Sequence, residues 1–439
     1  VYGKKRVSLE SFTHMNQHYS VSPFTLKSAI DMCFADGANH VVWHTFTMSP
    51  DVFGVPGIEY FAGTHVNRNV TWHSEAKAFV DYLARCETVL QAGEPVVDIA
   101  VKAGKTPYAH WGRFRDATPD GVKIPDGYNY DLVDDEEWEK STVKDGWRVM
   151  ASGMKYPAEL PAKPDLEGPF AFCHRRTATE DIYFLQGDAK AEAVFRVSGR
   201  NAVLFDAVSG EIKPLATKVT DDGRTAVALD LSETGSAIVV FGDGFAAVGP
   251  ASGSDSDLRP WEVKGPWSVS FAYHRLDHTR HLPAARTMER LSDWTTSDDA
   301  DLRHFSGTAT YRTVFVTPRR FSENATLSLG ALPSGVAHVS VNGVDCGTVW
   351  CAPWTVKIPD GTIRSGENTV EIRYVNNWQN RLIGDAKLPE ADRVTTSCLQ
   401  LTEKRIKPNG KELNVFSGYC TEDELQPSGL LGPVKIVFR

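Results

Sequence analysis

The chain has 439 residues, with 47 Lys and Arg against 56 Asp and Glu and a formal net charge of −9, both signs mixed along its length. A nucleic-acid binder should carry a basic face, which argues against that class. No run of 18 apolar residues occurs, so no membrane-spanning helix is expected, and the length suffices for two to four domains. The seven cysteines contain no Cys-x-x-Cys pair, so a zinc site is not expected. Cys346 and Cys351 could bridge a hairpin or stay reduced, because spacing alone does not fix Cα geometry. Eleven Trp and thirteen Tyr suit either a sugar binder or the core of a β-sandwich.

Around the stretch Val7 to Thr13, Arg6 to Leu9 reads as a short barrel-type strand that ends at the carboxylate Glu10, followed by a polar, His-containing loop from His14 to Ser20. Ser22-Pro23 opens a helix, Ser as N-cap and Pro at N1, with apolar positions Phe24, Leu26, Ile30, Met32 and Phe34 and a stop at Gly37. A second strand is expected over Asn39 to Thr47, then a long loop, then a helix from Glu75 to Gln91 closed by Gly93. Strand–loop–helix thus occurs twice, with polar residues where each strand ends. In a (β/α)8 barrel the chemistry sits at that rim, which singles out Glu10 and His44. A whole barrel needs about 250 residues, so residues 1–95 supply only its last two βα units, and the true N-terminus is expected upstream.

Residues 96–168 read as a polar connector with a short strand over Val96 to Ala100, a loop with Trp111, the run Pro125 to Asp131, and the charges Asp134 to Glu137 as a solvated helix start. From Phe170 the period becomes two. Strands around 181–185, 193–197, 202–205 and 237–241, with turns at Ser198-Gly199, Ser209-Gly210 and Asp222-Gly223, predict a small antiparallel β-sandwich over 169–248. A Gly/Ser/Asp-rich linker over 249–258 leads into a second all-β region. Its clearest strands are 309–316, 325–329, 337–341, 348–350, 368–374 and 434–438, with turns at Asn342-Gly343 and Asp360-Gly361. That pattern predicts a jelly-roll for 249–439. The fold class expected is therefore multidomain α/β plus all-β.

These residues carry a resemblance. Gly3 to Thr13 resembles a catalytic-strand segment of glycoside hydrolase family 106, the α-L-rhamnosidases, and His44-Thr45-Phe46-Thr47 resembles the next strand end. Pro56-Gly57, Gly63-Thr64-His65, Asn67-Arg68-Asn69 and Thr71-Trp72 are similar to the loop that follows. Pro125 to Asp131, His174-Arg175, Trp267, Ser292-Asp293-Trp294, Phe305 to Tyr311, Val341-Asn342-Gly343 and Asn377 to Asp385 continue the similarity in order. The jelly-roll motifs alone recur in family 2 glycosidases, and that domain resembles galactose-binding modules.

The resemblance implies an inverting hydrolysis of terminal α-L-rhamnosyl linkages in plant-type polysaccharides or glycosides, with two carboxylates and a calcium ion, outside the cell or in the periplasm. The second carboxylate is expected from an earlier strand that this chain lacks, so the missing barrel segment is an expected partner. Glu10 is assigned general base by analogy with barrel glycosidases that keep their second carboxylate on the seventh strand. His44, His65, Arg68, Asn67, Trp72 and Tyr128 are candidates for substrate contact, each with a plainer alternative: a satisfied core histidine, a helix cap, or a hydrophobic staple at Trp72. Asn380, Arg381 and Asp385 read more readily as a buried polar network than as ligand contacts. Other readings are a barrel glycosidase of β-galactosidase type, a non-catalytic glycan-binding fragment, or a purely structural fragment.

Overall fold

The structure is a computed structural model that describes residues 5–13, 17–60, 62–102, 124–133, 163–248, 260–317, 325–399, 405–406, 412–413 and 419–438. Trp111, the charge run Asp134 to Glu137 and the 249–258 linker lie outside the described residues. The chain folds into two compact units, each assembled from three stretches of sequence. Val1–Leu9, Ile30–Val42 and Asp81–Ser252 make the first, and Glu10–Ala29, Trp43–Val80 and Gly253–Arg439 the second.

The first elements are strand β1 (Ser8–Ser11), helix α1 (Pro23–Ala35), strand β2 (His40–Trp43), strand β3 (Pro56–Glu59) and helix α2 (Lys77–Leu90). β1 and β2 pair as a two-stranded sheet. Both helices form because apolar residues recur at helical spacing. Leu26, Ile30 and Phe34 are buried on α1, and Phe79, Tyr82, Leu83, Cys86 and Leu90 on α2. The expected cap at Ser22 is not made. Its hydroxyl donates to the carbonyl of Pro333 (3.4 Å), while the Thr25 hydroxyl accepts from the Ser22 amide (3.1 Å). The Pro333 bond uses the hydroxyl proton of Ser22, and Thr25, three residues on, supplies the reciprocal half of a capping box by accepting from the Ser22 amide. The second strand and helix are both shorter than the sequence implies, since a 3-10 turn, His73–Glu75, precedes α2.

In the first unit, a six-stranded antiparallel sheet runs in the order Ile212–Leu215, Asn201–Phe205, Ser236–Gly242, Glu180–Gln186, Ala171–Arg176, Glu94–Pro95. A four-stranded sheet runs Lys218–Val219, Thr225–Asp230, Lys190–Phe195, Leu166–Glu167. Phe172, Tyr183, Leu185, Phe195, Val227 and Phe241 belong to the core of this region. Instead of one strand over Val96 to Ala100 there are two, Glu94–Pro95 and Ile99–Lys102. Pro95 has no amide hydrogen and sits on the edge of the six-stranded sheet. The second piece pairs in parallel with Tyr130–Val133.

In the second unit, a six-stranded antiparallel sheet runs Arg286–Met288, Trp267–Ala272, Thr308–Thr317, Gly366–Asn376, Gly335–Val341, Val344–Val349. A four-stranded sheet runs Trp261–Glu262, Lys435–Phe438, Ala325–Ser328, Thr355–Lys357. Trp267, Trp294, Tyr311 and Tyr374 lie in the core of this region, so these aromatics fill a sandwich rather than face a ligand. Strand β3 pairs in parallel with Thr396–Leu399. Cys346 and Cys351 are both free thiols, so no bridge closes that hairpin.

The Asn342-Gly343 turn is as expected. Both residues have positive φ, 52° and 75°, the conformation that a two-residue hairpin turn demands and that Asn and Gly tolerate best. The Asn342 side chain also donates to Thr362 O and Asn368 Oδ1 (both 2.8 Å) and accepts from the Thr369 amide (2.8 Å). Asn342→Val loses these bonds and puts a β-branched residue in the left-handed region, which should cost about 2–3 kcal/mol in a urea titration. A loss under about 0.5 kcal/mol, the usual range of a surface substitution, would contradict this account.

Candidate active site

Glu10 is on β1 and its side chain is exposed. Oε1 accepts a hydrogen bond from the Thr13 hydroxyl (2.7 Å), which holds the carboxylate at the strand end without enclosing it. An exposed, singly bonded carboxylate keeps an acceptor for a water proton, as a general base requires.

His44 follows β2. Its amide donates to Ser11 O (3.0 Å), tying the two strand ends together. Its ring meets Tyr60 edge-on at 5.4 Å, and Nδ1 is buried with no hydrogen-bond partner among the described residues. Gly63, at φ 97°, is what allows this close approach: a Cβ there would stand 2.5 Å from His44 Nδ1 and 2.8 Å from its carbonyl oxygen.

The 64–72 loop divides its candidates between interior and surface. Asn67 is buried, donates to Thr47 O (2.9 Å) and accepts from the Asn69 amide (2.9 Å). That is a loop-closing role, not a free hydroxyl clamp. Trp72 is only 2% exposed and donates from Nε1 to Val21 O (3.2 Å), so its ring is enclosed and offers no open stacking face to solvent. Arg68 alone faces outward. It pairs with Asp51 (2.8 Å) and donates to Ser49 O (3.2 Å).

His65 is buried in an array that sequence patterning did not reveal. Its Nδ1 is 3.2 Å from the Thr47 hydroxyl and its Nε2 is 3.0 Å from His18 Nδ1. The same His18 nitrogen is 3.1 Å from Glu59 Oε2. Glu59 is fully buried, and among the described residues neither of its oxygens has a partner in hydrogen-bonding geometry. The only local signal for it was a carboxylate set in the apolar run Val55 to Phe61. A small recess beside this array is lined by residues that include Tyr19, Thr64, His65, Thr71, Trp72 and Trp378. The Thr64 and Thr71 hydroxyls are buried there without hydrogen-bond partners among the described residues.

Tyr128 belongs to the other compact unit. It is partly buried, and burial pushes its phenol above the usual range, with Arg196 opposing and Asp98 reinforcing the shift. Asn380, Arg381 and Asp385 form the expected buried network. Asp385 accepts from the Thr395 amide and hydroxyl (2.7 and 2.6 Å) and from the Val394 amide (3.1 Å), with Arg381 Nε 3.1 Å away. Asn380 exchanges bonds with Gln426 (2.8 and 2.9 Å).

Comparison with known proteins agrees with the early segment. Residues 1–161 match the family model described as alpha-L-rhamnosidase, glycoside hydrolase family 106. The structure of a rhamnosidase from Novosphingobium sp. PP1Y superposes with a TM-score of 0.80 at 25% identity, over 98% of this chain and 47% of that one. A protein of Formosa agariphila that carries a provisional beta-glucuronidase name is 30% identical over 187 residues, 40% of this chain and 16% of its own. A β-glucuronidase from Ruminococcus gnavus in complex with D-glucuronic acid aligns over 40% of this chain and 29% of its own at 19% identity and a TM-score of 0.26, too low to carry an argument. The chain therefore spans about half the length of the rhamnosidase and much less of the curated relative. The family likeness is thus to the α-L-rhamnosidases of glycoside hydrolase family 106, carried by residues 1–161 and by the superposition on the Novosphingobium rhamnosidase.

Proposed function

We propose that the complete protein is a glycoside hydrolase that removes terminal α-L-rhamnosyl groups from plant-type polysaccharides or glycosides, working in the periplasm or outside the cell. The observation that carries this reading is the family match over 1–161, a stretch that contains Glu10 with its exposed carboxylate at a strand end. In this reading residues 1–95 close a (β/α)8 barrel, and the later sheets form a β-sandwich and a jelly-roll.

The chemistry assigned to this chain is that of the base. Glu10 takes a proton from a water, whose oxygen forms the new bond to the anomeric carbon as the glycosidic bond breaks on the opposite face. A second carboxylic acid, contributed from outside this chain segment, delivers its proton to the leaving oxygen. Inversion needs the two carboxyl groups about 6.5–9.5 Å apart to leave room for that water. His44, with its ring beside Tyr60, is proposed to contact sugar hydroxyls.

Calcium remains part of the proposal without a step routed through it. Among the described residues no group of three or more His, Cys, Asp or Glu side chains is placed to hold a metal. Calcium takes about 6–8 oxygen ligands, so Glu10 alone does not make its site, and the ion would need ligands from beyond the described residues.

The test is turnover by the complete protein of an aryl α-L-rhamnoside beside an aryl β-galactoside and an aryl β-glucuronide. Release from the rhamnoside alone, with the β-anomer of rhamnose as first product, is the expected result. Preference for the β-glucuronide would favour the second reading, that of the Formosa agariphila relative's name. Saturable binding of rhamnose-containing glycans with no product would make the protein a binding module.

A further inference from the structure

Two arginines far apart in sequence meet on one exposed carboxylate. Asp51 Oδ1 lies 2.8 Å from Arg68 Nη2 and 2.8 Å from Arg275 Nη2. The Asp51 side chain is 76% exposed, Arg68 48% and Arg275 34%. Exposed ion pairs contribute little to stability, because water and salt screen them. One carboxylate also leaves this trio with a net positive charge.

The cost on the other side is visible in the backbone. Arg275 has φ 57°, in the left-handed region that a long side chain disfavours. The neighbouring His274 Nε2 is 2.6 Å from the carbonyl oxygen of Arg68, which fixes one arginine-bearing segment against the other. Residues held in such sparsely populated backbone regions cluster at ligand clamps and active sites. The guanidiniums are also under-used. Among the described residues, neither Nε nor Nη1 of Arg68 or Arg275 has a hydrogen-bond partner. A guanidinium fork presents paired donors suited to a bidentate carboxylate, and here each fork gives Asp51 a single bond.

The segment that carries Asp51 is itself unusually apolar for an exposed loop. Phe46 and Met48 are more than two-thirds exposed, and Val52, next to Asp51, is 86% exposed. A carboxylate seat next to the exposed Val52 suits a ligand with an acid group on a ring that has a C–H face.

We propose that Arg68 and Arg275 form a seat for the carboxylate of an acidic sugar, a uronate, and that Asp51 occupies the seat when no ligand is bound. The proposal takes from the glycosidase reading only the choice of a sugar acid as probe. Binding is measured without turnover, so its failure and the failure of the rhamnosidase reading are separate results.

The experiment is saturation-transfer NMR and calorimetric titration of this chain at low ionic strength with D-galacturonate, its neutral methyl ester and acetate. Galacturonate should bind saturably, with the ester at least about tenfold weaker because the forks lose their charged acceptor. Asp51→Asn should tighten galacturonate binding by about fivefold, since the resident competitor loses its charge. Arg275→Lys, which keeps the charge but not the fork, should weaken binding, and Arg68→Ala with Arg275→Ala should abolish it. Circular dichroism of each variant checks that it folds. Equal affinity for acid and ester, or no tightening in Asp51→Asn, would overturn the seat. Acetate binding as well as galacturonate would overturn the assignment to a sugar.

Discussion

Glu10→Gln in the complete enzyme is expected to lower kcat on an aryl α-L-rhamnoside by about 10²–10⁴-fold, the range for loss of a positioned general base. The fold should be unchanged, because the carboxylate is exposed and its one hydrogen bond within the chain, from Thr13, can be accepted equally by an amide oxygen. KM should move little, since a base acts on water and not on the sugar in the ground state. Stopped-time assays at saturating substrate, with circular dichroism as a check on folding, give the answer. Wild-type turnover by Glu10→Gln would remove Glu10 from the mechanism while leaving the family match over residues 1–161 intact.

The largest stability effect is expected at His174, in the first unit. Its ring is fully buried between two carboxylates, Nδ1 2.8 Å from Asp165 and Nε2 3.0 Å from Asp181. It stacks on Tyr183, whose hydroxyl donates to the other oxygen of Asp165 (2.9 Å). Arg176 and Arg200 also reach Asp181 (2.6 and 2.8 Å). With a carboxylate at each nitrogen the ring can satisfy both only as an imidazolium. Burial works against that charge, but the bonds to Asp165 and then Asp181 outweigh it, and the pKa of His174 is raised. Burial likewise works against the Asp181 carboxylate, yet His174 and Arg176 hold its pKa down to about 2.

His174→Phe leaves Asp165 charged and deprived of its nearest cation, which should cost about 3–5 kcal/mol. The pH dependence follows from the two directions. A histidine raised above its unfolded value of about 6.5 gives stability that is complete below that pH and is lost as pH rises through the folded pKa. A depressed aspartate gives stability that is complete above about pH 4 and is lost as pH falls through about 2. Calorimetry of the wild-type chain should therefore find the contribution of this network fullest between about pH 4 and 6.5. His174→Phe should flatten the alkaline side of that profile. A variant as stable as wild type at pH 6, or one with an unchanged slope above pH 6.5, would refute the imidazolium.

What could be read from sequence was local. The stripes on α1 and α2, the Asn342-Gly343 turn and the alternation along Thr308–Thr317 each depend on neighbours within a few positions, so pattern and propensity fix them. The Asp385 network was legible because Asn380, Arg381 and Asp385 fall on one short helix, Gln379–Ala386. The His65–His18–Glu59 array was not, since it joins three segments through contacts no spacing rule encodes. Trp72 and Asn67 were ambiguous for the same reason. Composition places them in a polar loop, and only the tertiary structure shows that the loop turns both inward. Ser22 had every local mark of a cap, but its bond to the carbonyl of Pro333, 311 residues away, could not be read from neighbours.

The interleaving of the two units along the chain bears on how the protein is made. Trp378 donates to the carbonyl of Asn69 across 309 residues of sequence, and Gln17 to Asp423 across 406. During synthesis the early strands and helices leave the ribosome long before these partners exist, at about 5–20 residues per second. β3 in particular waits with an unpaired edge until Thr396–Leu399 arrives, a state open to aggregation. A nascent chain of this design holds the stretch from β1 to α2 without its distant partners until they emerge, and cutting it at the boundaries of its sequence segments would give pieces of both units rather than either one.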